Sequence, residues 1–529
     1  MRTSLMGRRF ALLLWILLGV LVLFLSSLWW FRWDLTADKR FSLGPMSLQL
    51  LGFLEEPLHI TYYVSPELED LYPHARDVKD FLRLYTAAHP QVSLEVRDPV
   101  KEGLEGSLLQ QGVFGHQIQS MRGNSTQLVT VYSSVVLEYL DRMAVVPFAQ
   151  TAESLEYEMA VRLLQLVESA GAWPVLLMAG NSLSVQDDYG DVAPWLKAAG
   201  FLPTVVTADQ FQMMEGQLTQ VEGSRVPLVL FGSDALTAGQ ADSIRRFVES
   251  GGRLFVMTSA HSADLYDDWD VASTEDRLLP VLASWGLELG SELVLDISCF
   301  RATFQSQEDN PVYQQVNYPL WIQALPQYTV EHPVSRRAFG LEFYWSSPIT
   351  LTSMEAQPLV YTTPSAWLLP PEPEREQPFV TNPFMVPQTA SQAGQAASQY
   401  VLAALAEVAG GGQVMLVGSQ YFLSTLMRQY TGSLGNLDFA TKGLLLLCGQ
   451  EPLLELKNKA SLTRGLHKMD QDQLEASRPR ALAVNLVLLP LLPALVALLW
   501  RLAARTFAGG GSGKAGHGRE KGRPRGGQA

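Results

Sequence analysis

Two apolar stretches, Phe10 to Trp30 and Ala481 to Trp500, bracket about 450 residues of ordinary globular composition. A bilayer's hydrocarbon core, about 30 Å thick, needs about 20 apolar residues at about 1.5 Å each, and neither stretch contains an acidic or basic residue. Each reads as a transmembrane helix, 10–30 and 481–500. Arg2, Arg8 and Arg9 precede the first; Arg501, Arg505, Lys514, Arg519, Lys521, Arg523 and Arg525 follow the second, against one acid, Glu520. Positive flanks stay in the cytoplasm. The expectation is a two-span protein of the inner, cytoplasmic membrane, with residues 1–9 and the basic, Gly-rich tail 501–529 inside and the middle extracytoplasmic.

Charge fits that layout. Residues 34–477 carry 52 of the chain's 53 acidic residues but only 26 of its 39 basic ones. A strongly acidic body repels nucleic acid and anionic lipid headgroups, so neither is expected as its partner. A cleaved signal peptide is the competing reading of the first stretch, and Arg8-Arg9 has a faint likeness to a twin-arginine signal. Signal h-regions run about 7–15 residues and end at small residues, whereas this run continues through Leu28-Trp29-Trp30-Phe31. Trp29, Trp30 and Trp33 suit an interfacial aromatic belt. Pro490 and Pro493 are tolerable in a membrane helix. In the tail, Gly509 to Lys514 looks like a phosphate loop, but Ala515 stands where Ser or Thr would hold magnesium and no strand precedes it. The tail reads as disordered.

Cys299 and Cys448 are the only cysteines, with no C-x-x-C and no Cys/His cluster to hold zinc or a redox centre. Cys448 closes the run Leu444 to Leu447 and suits a small buried hydrophobe. An oxidising compartment would permit a bridge; the expectation is two unbridged thiols.

Between the apolar ends the pattern is α/β. A small α/β domain is expected over 34–150, with strands at Leu58–Val64, Val92–Val96, Gln127–Tyr132, Val135–Tyr139 and Val145–Phe148 and a helix at Ala75–Ala88. A larger one is expected over 151–460. It opens with the amphipathic helix Ala152–Glu168, Leu155, Met159, Leu163 and Leu166 lining one face. Apolar strands at Val175–Ala179, Pro203–Val206, Pro227–Phe231 and Leu254–Met257 then alternate with helices at Asp191–Ala199 and Ala238–Glu249. Wholly apolar strands separated by helices imply a doubly wound parallel sheet covered on both faces. Residues 300–400, rich in Pro, Gln and Ser, read as an insertion of loop or irregular β cover. Order returns with a helix at Ser398–Val408, a strand at Gln413–Val417 and a helix at Asn436–Cys448. Residues 461–480 form a linker.

Open parallel sheets bind ligands beyond the carboxyl ends of their strands. Gly180-Asn181-Ser182, Gly232-Ser233-Asp234 and Gly418-Ser419-Gln420 fall there. None makes G-x-S-x-G or G-x-G-x-x-G, and Gly after a buried strand is ordinary turn chemistry. Ser182 or Ser233 with His261 is the one nucleophile and base arrangement the sequence offers. His261 is also followed by Asp264, Asp267, Asp268 and Asp270, which could bind a divalent cation, but the spacing matches no calcium loop and acidic loops in an acidic domain are usually solvated. Trp173, Trp269, Trp285, Trp321, Trp345 and Trp367 could form a carbohydrate-binding or adhesive surface, though such residues more often build cores and interfaces. No catalytic, cofactor-binding or metal residue is assigned.

Several segments together resemble the Gld-type (GldG-like) auxiliary proteins of bacterial ABC transport systems, a family first associated with gliding motility. Asp34-Leu35-Thr36 with Lys39-Arg40-Phe41-Ser42-Leu43 is similar to the family's juxtamembrane opening, followed by Leu54-Glu55-Glu56-Pro57. Leu155-Glu156-Tyr157-Glu158 resembles its "LEYE" helix start, and Leu228 to Met257, through Gly251-Gly252-Arg253-Leu254, its central strand, helix and strand. His332-Pro333-Val334 resembles "HPI", and Val414 to Ser424 with Asn436 the closing stretch. Asn181 and Ser419-Gln420 depart from the pattern, where the family often has a Gly-His-type turn and an acidic residue. The resemblance implies an amidotransferase-like α/β core without the enzymes' catalytic residues, beside a separate permease and ATPase, in motility, export or envelope transport. With no ATP-binding loop in this chain, energy would come from another subunit; the cargo is not written in the sequence. An extracytoplasmic hydrolase or transferase and an envelope carbohydrate-binding or adhesion module are the alternative readings.

Overall fold

The computed structural model describes residues 42–71, 74–122, 125–149, 151–167, 172–218, 226–265, 269–305, 313–372, 374 and 377–460, together with the isolated positions 479, 482 and 491. The expected spans at 10–30 and 481–500, the linker and the basic tail lie outside the described residues, save those three positions. Among the described residues no helix is long and apolar enough to cross a membrane.

The first sheet follows from strict alternation. In Leu58–Val64, Leu58, Ile60, Tyr62 and Val64 point into the core, the period-2 signature of a half-buried strand. It pairs in parallel with Val92–Arg97 and antiparallel with Ser133–Tyr139, which is followed by the antiparallel edge Arg142–Val146. The crossover to Val92 includes helix His74–Ala88, whose Val78, Phe81, Leu82 and Tyr85 recur at helical spacing and are all buried.

The larger sheet runs, by spatial neighbour, Phe201–Val205, Trp173–Ala179, Pro227–Phe231, Arg253–Met257, Gly412–Val417, Val401–Val408, then Ile349–Leu351 and Leu287–Leu289; Ala356–Tyr361 also pairs with Val401–Val408. The first five are parallel. Their residues alternate between two apolar cores. Val175, Leu177, Val229, Phe231, Phe255, Met257, Met415 and Val417 face one, and Leu176, Met178, Leu228, Leu230, Leu254, Val256, Val414 and Leu416 the other. Burial on both faces is why these runs are apolar throughout. Helices Ala208–Leu218 and Ala238–Glu249 cover one face, the latter started by a Thr237/Gln240 capping box. Helices Val192–Ala198 and Gly435–Leu447 cover the other. Gly443 lets the last of these lie close to its strand: a Cβ there would stand 2.6 Å from Met415 Sδ.

Two expectations need correction. Val401–Val408 is a strand, not a helix, paired antiparallel with Gly412–Val417 from Ala403↔Val417 to Val408↔Gly412. Its helix-favouring Ala and Leu residues yield to burial in the sheet and to the tight turn through Gly410 and Gly411. The sheet is consequently mixed, five parallel strands extended by antiparallel ones. Residues 300–400, expected as loop or irregular β cover, hold regular β structure. Cys299–Gln305, Tyr313–Ala324 and Leu341–Tyr344 form a three-stranded antiparallel sheet over an aromatic core in which Trp321, Trp345 and Trp367 are at most 1% exposed. Trp285 is buried as well, and Trp173 and Trp269 are half-buried. Most of the tryptophans outside the apolar ends are packing residues. Cys299 and Cys448 are both free thiols.

Glu156 joins three helices. On helix Ala152–Val167, it accepts from the Gly44 amide, from Ser47 Oγ at 2.9 Å and from Lys459 Nζ at 2.5 Å. The donors come from the start of helix Pro45–Gly52 and from helix Glu451–Ala460. Gly44 leaves room for this: a Cβ there would stand 2.7 Å from Leu456 Cδ2 and 3.2 Å from Glu156 Oε1.

Candidate functional site

Four parallel strands end side by side, and the loops that leave them knit together. The main chain registers them first: Gly180 N donates to Phe231 O at 3.0 Å, Gly232 N to Met257 O at 2.7 Å and Thr258 N to Val417 O at 3.0 Å. Gly232, with φ of +63°, makes a turn that side-chain-bearing residues adopt at a cost. Ala235 also takes a positive φ, +56°, so the loop after Pro227–Phe231 is tightly wound.

Side chains then fill the space. Ser182 Oγ donates to Asp234 Oδ2. Asn181 Nδ2 donates to Ala235 O at 2.7 Å and Gln240 Oε1 at 3.0 Å. Ser233 Oγ donates to Asp276 Oδ2 and lies 2.7 Å from Thr258 Oγ1, while Asp276 Oδ1 accepts the Leu278 amide at 2.8 Å. Burial pushes the Asp276 carboxyl above its ordinary value, and those donors pull it partly back. Ser419 Oγ donates to Tyr344 O at 2.6 Å, Gln420 Nε2 to Ser262 Oγ at 3.3 Å, and Tyr189 OH to Gln420 O at 2.9 Å. Beside these loops an open cleft of about 660 Å³ is lined by Asp234, Thr237, Thr274, Glu275 and Arg277, among others.

The arrangement does not assemble the serine and histidine pair that the sequence offered. His261 Nε2 donates to Ser291 O at 2.9 Å and the ring packs edge-on against Phe379, with centroids 4.6 Å apart. Ser182 and Ser233 bond to carboxylates instead. Burial lowers the His261 imidazole to about 4, so it is neutral near pH 7. Nor does a metal cluster form around it: among the described residues no group of three or more His, Cys, Asp or Glu side chains is placed to hold an ion. Asp267 and Asp268 lie outside the described residues.

Asp276 was not legible as a member of this cluster. It follows Ser233 by 43 residues, and its one local signal is the Asp two positions before Leu278, at the start of helix Leu279–Ser284. Tyr189 and Tyr421, the latter bonded to both the amide and the carbonyl of Ala263 at 2.7 Å, carried no sequence signal at all.

The family model described as an ABC-type uncharacterized transport system matches residues 174–443, from the first parallel strand to the helix beneath the sheet. A second model, a domain of unknown function (DUF7088), matches residues 37–138. A curated protein of Borreliella burgdorferi, described only as uncharacterized, is 21% identical over 473 residues, covering 87% of this chain and 91% of its own length. Among solved structures, a ThuA-like protein from Bacteroides uniformis aligns with a TM-score of 0.27 and 11% identity, over 53% of this chain and 91% of its own. A β-galactosidase from Rahnella sp. R3 aligns with a TM-score of 0.24 and 15% identity, over 54% of this chain and 35% of its own. Structural likeness at that level supports no statement about this chain.

Proposed function

The chain belongs to the family described as an ABC-type uncharacterized transport system, and we propose that it serves there as a non-catalytic auxiliary component beside a separate permease and ATPase. In this reading the apolar segments 10–30 and 481–500 anchor it in the cytoplasmic membrane with both termini inside, and the acidic α/β body works on the outer face, where it gates, accepts or hands on cargo. The Gld-type motifs support placement near that branch of the family, in motility, export or envelope transport.

One observation carries the non-catalytic part. Where an open parallel sheet would present reactive groups, Ser182, Ser233 and Ser419 are each committed to a structural hydrogen bond, and neither Ser182 nor Ser233 bonds to His261. The one serine and histidine arrangement that the sequence offers is therefore not assembled. Complementation of a deletion strain tests this: Ser182→Ala, Ser233→Ala and the double variant are expected to restore the wild-type phenotype at normal protein levels. Loss of function at normal levels and normal thermal stability would contradict it.

A further inference from the structure

Helix Pro45–Gly52 is uncharged on both sides and covered on only one. Ser47, Leu50 and Leu51 are buried against the body, as is Leu54 just beyond the helix. The opposite side, Pro45, Leu48, Gln49 and Gly52 at helical spacing, lies exposed, and so does Phe53 at the C-cap. Leu48 is 49% exposed and Phe53 53%. No charged side chain occurs from Phe41 to Leu54, in a chain of which 17% is charged. Among the described residues, every other helix of eight or more residues carries at least one Asp, Glu, Lys or Arg.

A helix that lacks a charged, water-facing side is normally covered all round. Area argues against a protein as the missing cover. Eight residues at about 1.5 Å each make a strip about 12 Å long and about 10 Å wide, on the order of 100 Å², against about 800 Å² per partner in a stable interface. The strip ends abruptly, because Glu55 and Glu56 follow it and are exposed. The chain before the helix points to lipid. Only residues 31–41 separate the apolar run Phe10 to Trp30 from Ser42, a reach of about 40 Å at full extension. So short a tether gives the helix a high effective concentration at the surface of any bilayer that holds the run, and two large apolar side chains then suffice. At about 12 Å the helix is too short to cross; it suits the interface, where apolar side chains sink about 5–10 Å to the boundary of headgroups and acyl chains. Its other side is fixed to the body, since the Gly44 amide and Ser47 Oγ both donate to Glu156.

We propose that helix Pro45–Gly52 lies in the surface of the bilayer, with Leu48 and Phe53 inserted among the lipids, and seats the body against the membrane. The inference rests on the membrane anchoring proposed above.

Fluorescence quenching on the full-length chain, reconstituted in phosphatidylcholine vesicles, tests it. A solvent-sensitive thiol label is carried by Leu48→Cys, Phe53→Cys, Leu17→Cys or Met354→Cys, one at a time. Positions 48, 53 and 354 are exposed, so the substitutions leave the core intact, and Met354, fully exposed in the larger domain, is the aqueous control. The wild-type chain, whose own thiols are raised by burial, sets the background. Labels at 48 and 53 should lose most of their emission to lipid spin-labelled near the headgroup, and the label at 354 only to aqueous iodide. Iodide quenching at 48 and 53 as strong as at 354 overturns the proposal, and quenching at 17 by lipid spin-labelled deep in its acyl chains then shows that the anchoring still holds. Shielding of 48 and 53 from lipid and iodide alike means that a second copy of the chain covers them, which also overturns it. A label at 17 that no lipid quencher reaches refutes the anchoring and this inference together.

Discussion

Lys459 reaches Glu156 across 303 positions of sequence, its Nζ 2.5 Å from Glu156 Oε2 and 2.6 Å from Ser42 O. One ammonium thus holds the first described residue of the body to a helix near its end. Glu156 is 2% exposed, and Gly44 and Ser47 depend on its other oxygen. Removing one partner of a buried pair strands the other, which costs about 3–5 kcal/mol. Glu156→Ala is expected to fall in that range; Lys459→Met should cost less, because Glu156 keeps two donors. Chemical denaturation of the full-length chain reads both.

The turn that joins Val401–Val408 to Gly412–Val417 offers a matched pair of substitutions. Gly410 and Gly411 both take positive φ, +90° and +85°, but a Cβ on Gly410 would run into the carbonyl of Glu249 while one on Gly411 meets open space. Gly411→Ala should cost about 1–2 kcal/mol from backbone conformation alone. Gly410→Ala should cost clearly more, because a main-chain carbonyl cannot move aside as a side chain can. Equal losses in thermal stability would show that the hairpin does not rest on helix Ala238–Glu249 as described.

His261 makes the body sensitive to acid. Its imidazole is held at about 4 by burial, below an ordinary value near 6.5, with Ser291 O opposing the shift. The unfolded chain therefore binds this proton more readily, and the contribution of neutral His261 is present above about pH 6.5 and lost as pH falls toward 4, on the order of 3 kcal/mol in all. His332, also lowered by burial and by the neighbouring Arg336, acts in the same direction. Between pH 7 and pH 5 the wild-type chain should lose more stability than His261→Gln does, as read by unfolding midpoints. Parallel pH profiles would contradict this.

Burial raises both thiols, Cys299 to about 11 and Cys448 to about 12. Thiolate is the reactive form. A thiol reagent at pH 8 should label the native chain slowly and take up two equivalents after unfolding without reductant. No uptake after unfolding would indicate a bridge.

How much of this the sequence disclosed depends on how local the determinant was. Pro227–Phe231 and Ala238–Glu249 were legible to the residue, since a five-residue apolar run and a helix running up to Gly251-Gly252 are local signals. Val401–Val408 was not, because Val-Leu-Ala-Ala-Leu-Ala favours helix in isolation and only its neighbours in the sheet make it a strand. Tyr313–Ala324 was hidden in a Gln- and Pro-rich stretch whose aromatic partners come from distant segments. At the strand ends, the glycine and serine turns were visible as candidates. Asp276, the partner of Ser233, and Ser262 and Tyr189, the partners of Gln420, became visible only when the fold brought separate loops together.

The central claim is that this body works as a component of a transport assembly and not alone. Affinity capture of the intact full-length chain in mild detergent, with the bound proteins identified by mass spectrometry, tests it most directly. The account predicts a multi-span permease and an ATPase in the eluate. Recovery of the chain by itself, across several detergents that preserve its fold, would contradict it.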